Sequence, residues 1–386
     1  MNPPPEPSLK TDLPQPASSR LVFVDNLRGF LIVLVIVHHT AITYGASGSW
    51  YYNESPKTGL VSLVLTTLCA FDQSFFMGFF FLLAALFIPR SLQRRGVAGY
   101  VRERLVRLGI PLLVFLIGIS PPLEYLSAWI DGGVRGNFWS FLLTDPPILK
   151  HWWPGPLWFV QTLLLFSFAY LLIGGGRVGT ERPSSPTLWQ VVLLGLVQTV
   201  LSFAIRFIFP IGQTVFGMQF AYFPQYVLLF AAGVWFANPK MLLNLPSHWR
   251  TPAAVTALAG AVAVPLTAVM LGGLDDKFLG GPYWQAGLAA ADEAVTGYAA
   301  IIALILWFRD RIPESWSLLT DLGKNSYGIF IVHAPVLVLV SLALRGIALP
   351  PLVKFGVVAV LATAASWLIS HWIRRWGGEP VRRVLG

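Results

Sequence analysis

The sequence is dominated by apolar runs long enough to cross a lipid bilayer. A helix of about 20 residues spans the ~30 Å hydrocarbon core, and runs of this length recur along the 386-residue chain. Only 12% of the residues are charged, whereas a soluble domain typically carries about 25%. The runs are continuously apolar and lack the alternation of barrel strands. The chain is therefore predicted to be an all-α integral membrane protein.

We predict ten transmembrane helices, the second of which is long enough to be tilted, broken or partly re-entrant. They form one transmembrane domain at 21–376, between a Pro-rich, disordered cytoplasmic tail at 1–20 and a short basic cytoplasmic tail at 377–386. The ten spans lie near 27–46, 60–88, 108–129, 156–175, 188–209, 218–236, 252–272, 285–308, 326–345 and 352–373.

The Lys and Arg residues predict the orientation of the chain, because cytoplasmic loops are enriched in them. With both termini in the cytoplasm, 20 of the 27 Lys and Arg residues fall on that side. This topology, with lipid headgroups as contacts, accounts for most of the formal charge of +9, so nucleic acid is not expected as a partner. The seven exceptions are Lys57, Arg135, Lys150, Arg206, Lys277, Arg345 and Lys354.

Cysteine and histidine usage argues against a metal site. Cys69 is the single cysteine, which excludes an internal disulfide and a cysteine-based metal site. The histidines show no HExxH or comparable spacing. No metal and no bound cofactor are therefore predicted.

Aromatic residues cluster where spans should end, as in the stretches WYY at 50–52 and HWWPGPLW at 151–158. Trp and Tyr are typical of membrane interfaces, and this interpretation is favoured. Aromatic faces also suit sugar rings, so Trp158 is kept as a candidate for substrate binding.

The first span carries an unusual polar stripe in the segment VDNLRGFLIVLVIVHHT at 24–40. At about 100° per residue, the eleven steps from Arg28 to His39 make three turns and about 20°, so the two side chains share one face of a helix. Asp25 falls on the same side, whereas His38 points about 100° away. His39 lies roughly 16 Å beyond Arg28 along the axis.

Two interpretations of this stripe stay open. In the first, Arg28 extends to the interface, Asp25 pairs with it or caps the helix, and the histidines bond to neighbouring spans. In the second, the stripe is functional, because ionisable groups inside a membrane commonly mark a functional site.

Five segments resemble the membrane-bound acyltransferase-3 family, in the order expected for it, across most of residues 20–375. In that family an Asp-x-x-Arg leads to a histidine eleven residues after the arginine, which is His39 here. The closest likeness is to the glucan-succinylating branch. One departure is Ala84-Ala85, where relatives usually have a small residue followed by glycine, which bears on local helix packing. The five segments are FVDNLRGFLIVLVIVHHTAITYG, DQSFFMGFFFLLAALFIPRSLQRRGVAGYVRERLVRLGIPLL, GPLWFVQTLL, YFPQYVLLFAAGVWFA and NSYGIFIVHAPVLV.

The resemblance implies a membrane-bound O-acyltransferase of the bacterial inner membrane. Such enzymes are understood to move an acyl group, here acetyl or succinyl, from cytoplasmic acyl-CoA to a hydroxyl of an extracytoplasmic glycan or related acceptor. An imidazole suits removal of the hydroxyl proton, so His39 is the expected general base. A covalent acyl-histidine is the alternative route.

The resemblance also assigns supporting roles. Arg28 and Asp25 are expected beside His39 in the catalytic set, with Arg28 contacting the donor or held by Asp25. Loop arginines are expected to bind the phosphates of acyl-CoA, since guanidinium groups make charge-assisted contacts to phosphate. Glu124 and Asp72 are further candidates with less support. The expected donor-binding residues are Arg102, Arg104 and Arg107, and the expected substrate-binding residues are Glu293, His333, Tyr327 and Trp158.

Two other functions stay open from the residues. A proton-coupled secondary transporter would also suit many helices with buried histidines and carboxylates, although such proteins often show repeated halves and none is evident here. A similar membrane fold could N-acetylate an amino sugar. The sequence specifies neither the acyl group, the acceptor nor the oligomeric state.

Overall fold

The computed structural model describes residues 21–134, 136–144, 152–174, 185–271, 275–312 and 316–385. Within these ranges the chain forms helices and connecting loops and contains no β-strand, apart from an isolated bridge between Val215 and Met218. The all-α prediction is confirmed. The predicted N-terminal tail at 1–20 lies outside the described residues.

Nine helical segments in the described ranges are long and apolar enough to cross a membrane, and a shorter apolar one occupies Phe220–Phe236. Together they match the ten predicted spans. The helices are α1 Val22–Thr43, α2 Gly59–Gln73, α3 Phe76–Ala85, α4 Ile88–Ile130, α5 Phe138–Thr144, α6 Trp158–Leu172, α7 Leu188–Ile205, α8 Phe223–Phe236, α9 Arg250–Met270, α10 Trp284–Arg311, α11 Ser317–Ala343, α12 Pro351–Trp376 and α13 Gly378–Leu385.

The second span is broken, one of the alternatives that its length predicted. Helix α2 ends at Gln73 and α3 begins at Phe76. At the break, the side-chain amide of Gln225 on α8 donates a hydrogen bond to the carbonyl oxygen of Ser74. A backbone group released from a helix inside a membrane needs such a partner.

Helix α4 corrects one prediction. The arginine-rich segment before the third span is helical rather than a loop, and it continues directly into that span. The chain turns at Gly96, whose φ of 66° is a conformation that glycine adopts freely. Two π-helical turns, at 105–109 and 115–119, precede Pro111 and Pro121. Proline lacks the N–H that would bond to the fourth preceding carbonyl, so the helix widens there.

Helix α1, which carries the polar stripe, packs against α11 with their backbones in close contact. A side chain at Gly29 would meet the carbonyl group of Leu319 and the backbone nitrogen of Gly323, and one at Gly323 would meet the backbone of Asp25. Small residues allow membrane helices to approach in this way. The contact aligns α1 and α11 along their length.

The departure at Ala84-Ala85 is accommodated by a glycine on the facing helix. A Cβ placed on Gly233 of α8 would lie 2.6 Å from both the Cβ of Ala85 and the carbonyl oxygen of Leu82. The close approach of α3 and α8 is therefore retained, with the glycine on α8.

The spans expose two chemically distinct ends. At one end, here named the basic face, the beginning of α1 meets the beginning of α11, and Phe30 contacts Phe308 near the end of α10 with ring centroids 5.6 Å apart. Its arginines include Arg28, Arg104, Arg309 and Arg374. The other end, named the opposite face, carries the loop at 44–58, whose Glu54 pairs with Lys354 of α12.

Candidate active site

Two histidines from different helices meet in the half of the membrane domain nearer the opposite face. His39 lies four residues before the end of α1, and His333 lies on α11. Their ring centroids are 5.2 Å apart. The indole of Trp50, from the loop at 44–58, stacks on His39 with centroids 4.1 Å apart and planes 25° from parallel.

Hydrogen bonds fix how both imidazoles can act. His39 Nδ1 lies 2.9 Å from the carbonyl oxygen of Val35, and His333 Nδ1 lies 2.6 Å from that of Phe330. A carbonyl oxygen only accepts, so each Nδ1 is the donor and each neutral ring keeps a lone pair on Nε2. His333 Nε2 is enclosed and has no partner, whereas half-buried His39 has an Nε2 that is neither enclosed nor bonded among the described residues. His39 can therefore accept a proton.

His38, which the helical geometry turns away from His39, has its own acidic partner. Its Nδ1 lies 3.7 Å from Asp72 Oδ2, and its ring stacks on Phe76 with centroids 5.0 Å apart. Asp72 is 1% exposed, and neither of its oxygens has a hydrogen-bond partner in the part of the chain that the structure describes. The rings of His38 and His39 meet edge to face at 5.5 Å. The side chain of His38 thus lies between the carboxylate of Asp72 and the ring of His39.

The aromatic stretch at 152–158 packs beside the loop that carries Trp50. Gly155, with φ of 50°, leaves room for the hydroxyl of Tyr51. The indole of Trp152 donates to Gln161 at 2.7 Å. Trp158 stacks on Tyr226 of α8, with centroids 5.4 Å apart. Through Tyr51, whose ring contacts Trp50, the stretch therefore lies next to the histidine site.

The other end of the polar stripe lies at the basic face. Arg28 Nη1 is 3.7 Å from Asp25 Oδ1, and the guanidinium group lies 5.3 Å from the ring centroid of Phe87. Asp25 is buried, while the Arg28 side chain is 31% exposed. Because α1 runs from Val22 to Thr43, the three-turn offset between Arg28 and His39 is retained.

Three arginines on α4 lie at this same face. Arg102 is exposed, Arg107 pairs with Glu103 at 3.6 Å, and Arg104 lies over the ring of Tyr100 at 4.9 Å. The Nε atom of Arg104 is enclosed and has no hydrogen-bond partner within the described ranges. The hydroxyl of Tyr327 on α11 donates to the backbone carbonyl of Arg107.

The structure shows which of the residues singled out in the sequence lie together and which lie apart. His39 meets His333, Arg28 meets Asp25, and Tyr327 meets the backbone of Arg107. Glu293 lies apart from these groups and is hydrogen-bonded to Arg206. Trp158 stacks on the ring of Tyr226. Sequence reasoning missed Trp50 and the pairing of His38 with Asp72, because each contact joins elements distant along the chain.

Comparison of the amino-acid sequence with known proteins identifies its family. A family model described as an acyltransferase domain, acyltransferase 3, matches residues 21–371. The chain is 23% identical over 340 residues to the glucans biosynthesis protein C of Escherichia coli O81 (strain ED1a), covering 84% of this chain and 83% of the relative. The same identity and coverage hold for the proteins of that name in Escherichia coli O139:H28 (strain E24377A / ETEC) and in strain K12. No solved structure matches the chain. The chain belongs to the acyltransferase-3 family and is a membrane acyltransferase.

Proposed function

We propose that this acyltransferase moves an acetyl or succinyl group from cytoplasmic acyl-CoA to a hydroxyl of an extracytoplasmic glycan, in the bacterial inner membrane. The observation that carries the proposal is the state of His39. Its Nδ1 is held by the carbonyl of Val35, which leaves Nε2 as an accessible proton acceptor inside the membrane domain. The name of the Escherichia coli relatives supports a glucan as the class of acceptor.

The reaction balances with one base. His39 Nε2 takes the proton of the acceptor hydroxyl while the hydroxyl oxygen attacks the thioester carbonyl carbon. The tetrahedral intermediate collapses with loss of the C–S bond. The coenzyme A sulfur leaves and receives the proton from His39, so the products are an ester, the free thiol and a neutral imidazole.

The donor enters from the basic face, which we assign to the cytoplasm. Its phosphates meet Arg28 and the arginines at 102, 104 and 107, since guanidinium groups bind phosphate through charge-assisted hydrogen bonds. The pantetheine arm then runs along α1 for the roughly 16 Å that separates Arg28 from His39. This route explains why an arginine and a histidine occupy one face of a membrane helix three turns apart.

The acceptor enters from the opposite face, past the loop at 44–58. Trp50 and His333 both contact the ring of His39, with centroids 4.1 and 5.2 Å away from it and 6.3 Å from each other. Contacts of this kind reduce the number of orientations available to the imidazole, and a fixed base is a more effective one. His333 is therefore proposed to position His39 rather than to contact the acyl group.

The test is acyl transfer by purified protein in lipid nanodiscs, followed as release of coenzyme A thiol and as mass added to a glucose oligosaccharide. His39→Ala should lower turnover by about 10²–10⁴-fold, the contribution typical of a general base. His248→Ala, which alters an exposed histidine of the basic face, is the matched control and should retain full turnover. Transfer by His39→Ala within twofold of the wild type would contradict the proposal.

A further inference from the structure

A second polar cluster lies between α7 and α10, separate from the histidines. Arg206 follows the last residue of α7 and is completely buried, and its Nη2 donates to Glu293 Oε2 on α10. Gln198 Nε2 lies 3.4 Å from the other oxygen of Glu293. The carbonyl oxygen of Arg206 accepts from the backbone nitrogen of Gly281, just before α10 begins. The cluster is therefore near the opposite face.

Several polar atoms of this cluster are enclosed and have no hydrogen-bond partner among the described residues. They are Nε and Nη1 of Arg206, Oε1 of Gln198 and Oγ of Ser202. Residues 198, 202 and 206 are four apart, so they share one face of α7. Buried donors and acceptors in proteins almost always have partners, and a guanidinium group inside a membrane domain has the strongest need of one. These atoms can therefore bind a polar ligand.

Two tyrosines, Tyr222 and Tyr226, lie between this cluster and the histidine site. The guanidinium group of Arg206 lies 5.5 Å from the ring centroid of half-buried Tyr222. Tyr226, one turn further along, stacks on Trp158 and accepts a hydrogen bond of 2.8 Å from Gln73. Gln73 is the neighbour of Asp72, which pairs with His38. The two polar sites are thus linked through α8 and the end of α2.

We propose that Arg206, Glu293 and Gln198 form a subsite that binds an uncharged sugar unit of the acceptor, next to the unit that is acylated. Arg206 supplies N–H donors, whereas Glu293 and Gln198 supply acceptor oxygens, and sugar hydroxyls both donate and accept. Glu293 neutralises the guanidinium charge and would repel an anionic ligand. Tyr222 offers an aromatic face to the sugar ring. This inference rests on the proposed function, because it takes the acceptor to be a glycan.

The substitution Arg206→Lys tests the subsite without leaving a buried charge unpaired. Lysine keeps the positive charge opposite Glu293 but loses the planar N–H groups that lack partners. The KM for a glucose oligosaccharide should rise at least tenfold, while hydrolysis of acyl-CoA by water stays within twofold of the wild type. The matched control is Arg250→Lys, which alters an arginine paired with Asp310 at 3.2 Å at the basic face and should change neither value. An unchanged KM, or equal losses of transfer and hydrolysis, would overturn the subsite.

Direct binding separates failure of the subsite from failure of the proposed function. Tryptophan fluorescence of the full chain in nanodiscs is titrated with the glucose oligosaccharide in the absence of acyl-CoA. Wild-type binding that Arg206→Lys weakens tenfold supports the subsite even if no acyl transfer is found. Absence of wild-type binding, or tighter binding of a glucuronic-acid oligosaccharide, would overturn it.

A second variant tests the subsite independently, in case Arg206→Lys does not fold. Gln198→Leu leaves the ion pair between Arg206 and Glu293 in place and removes the unpartnered amide oxygen. A leucine is well accommodated in a membrane helix. Gln198→Leu should weaken oligosaccharide binding three- to tenfold and leave acyl-CoA hydrolysis unchanged. If Gln198→Leu binds the oligosaccharide as tightly as the wild type does, Gln198 is excluded from the subsite and the proposal is contradicted.

Discussion

The imidazole of His39 lies face to face with the indole of Trp50, with ring centroids 4.1 Å apart. Trp50 belongs to the loop at 44–58, and Glu54 of the same loop is bonded to Lys354 of α12. The proposed base is therefore held partly by a loop on the opposite face, which is anchored to a distant helix by an ion pair. This arrangement couples the packing of the loop to the chemistry proposed for α1.

Replacing the indole should impair turnover more than it impairs folding. An aromatic pair contributes about 0.5–1.5 kcal/mol, so Trp50→Ala is expected to lower kcat by about tenfold as His39 loses its orientation. Trp50→Phe keeps a stacking partner and should lose no more than about threefold. Both are measured as coenzyme A release. Trp316→Ala, at an exposed tryptophan of the basic face, is the control, and a kcat of Trp50→Ala equal to that of the control would contradict the role.

Asp72 is expected to assist catalysis by its charge. When His39 takes a proton, the new positive charge lies beside His38, whose Nδ1 is 3.7 Å from Asp72. A unit charge contributes about 4 kcal/mol at 4 Å at an effective dielectric constant of about 20, and about half of that at twice the distance. Asp72→Asn keeps the shape and removes the charge, so kcat should fall by roughly 30-fold with the KM for acyl-CoA unchanged.

The matched control for that measurement is Asp276→Asn, at an exposed carboxylate on the opposite face. It should leave both kinetic constants at wild-type values. A rise in the KM for acyl-CoA in Asp72→Asn with kcat retained would show that Asp72 contacts the donor, and would exclude the electrostatic role.

The sequence predicted the parts of the site that lie within one helix. Arg28 and His39 follow from helical periodicity, because both are on α1 and the helix is long enough to hold them. Trp50 and Asp72 come from a loop and from α2, and no local pattern indicates that either meets a histidine of α1. Only the tertiary packing brings them together.

Two further differences have identifiable physical causes. The segment after Gly96 was predicted as a loop because its charges lower its hydropathy, yet hydropathy does not distinguish a polar helix at a membrane face from a loop. Arg206 did carry a signal, since it is one of the seven basic residues on the non-cytoplasmic side of the predicted topology. A basic residue that violates the topology rule needs a partner, and Glu293 is that partner.

The loop at 44–58 should lose stability at alkaline pH through Tyr52. Burial, together with the nearby charge of Glu54, raises the pKa of Tyr52 to about 12, compared with about 10 in an unfolded chain. A raised pKa in the folded state contributes stability that is complete below about pH 10 and is lost as the pH rises towards 12. The contribution of Tyr52, measured as the difference in thermal stability between wild type and Tyr52→Phe, should therefore shrink between pH 9 and pH 11. A constant difference would contradict this.

Tyr327 provides the last prediction, which separates a structural role from substrate binding. Its hydroxyl donates to the carbonyl of Arg107, the residue four positions before Pro111, and Pro111 has no N–H to offer that carbonyl. Tyr327→Phe should therefore cost about 1–3 kcal/mol of stability, the penalty for an unsatisfied buried acceptor.

A second substitution tests whether the cost of Tyr327→Phe comes from the hydrogen bond to the carbonyl of Arg107. In a Pro111→Ala background the helix regains a donor for the carbonyl of Arg107, so Tyr327→Phe should cost less there than in the wild type, by about 1 kcal/mol or more in a double-mutant cycle of thermal unfolding. Where Tyr327→Phe does not lower stability, as expected with alanine at position 111, it should also leave the KM for acyl-CoA unchanged. If the hydroxyl instead bound the donor, Tyr327→Phe would raise that KM equally with proline or alanine at position 111, because the loss of a substrate contact does not depend on which group serves the carbonyl of Arg107.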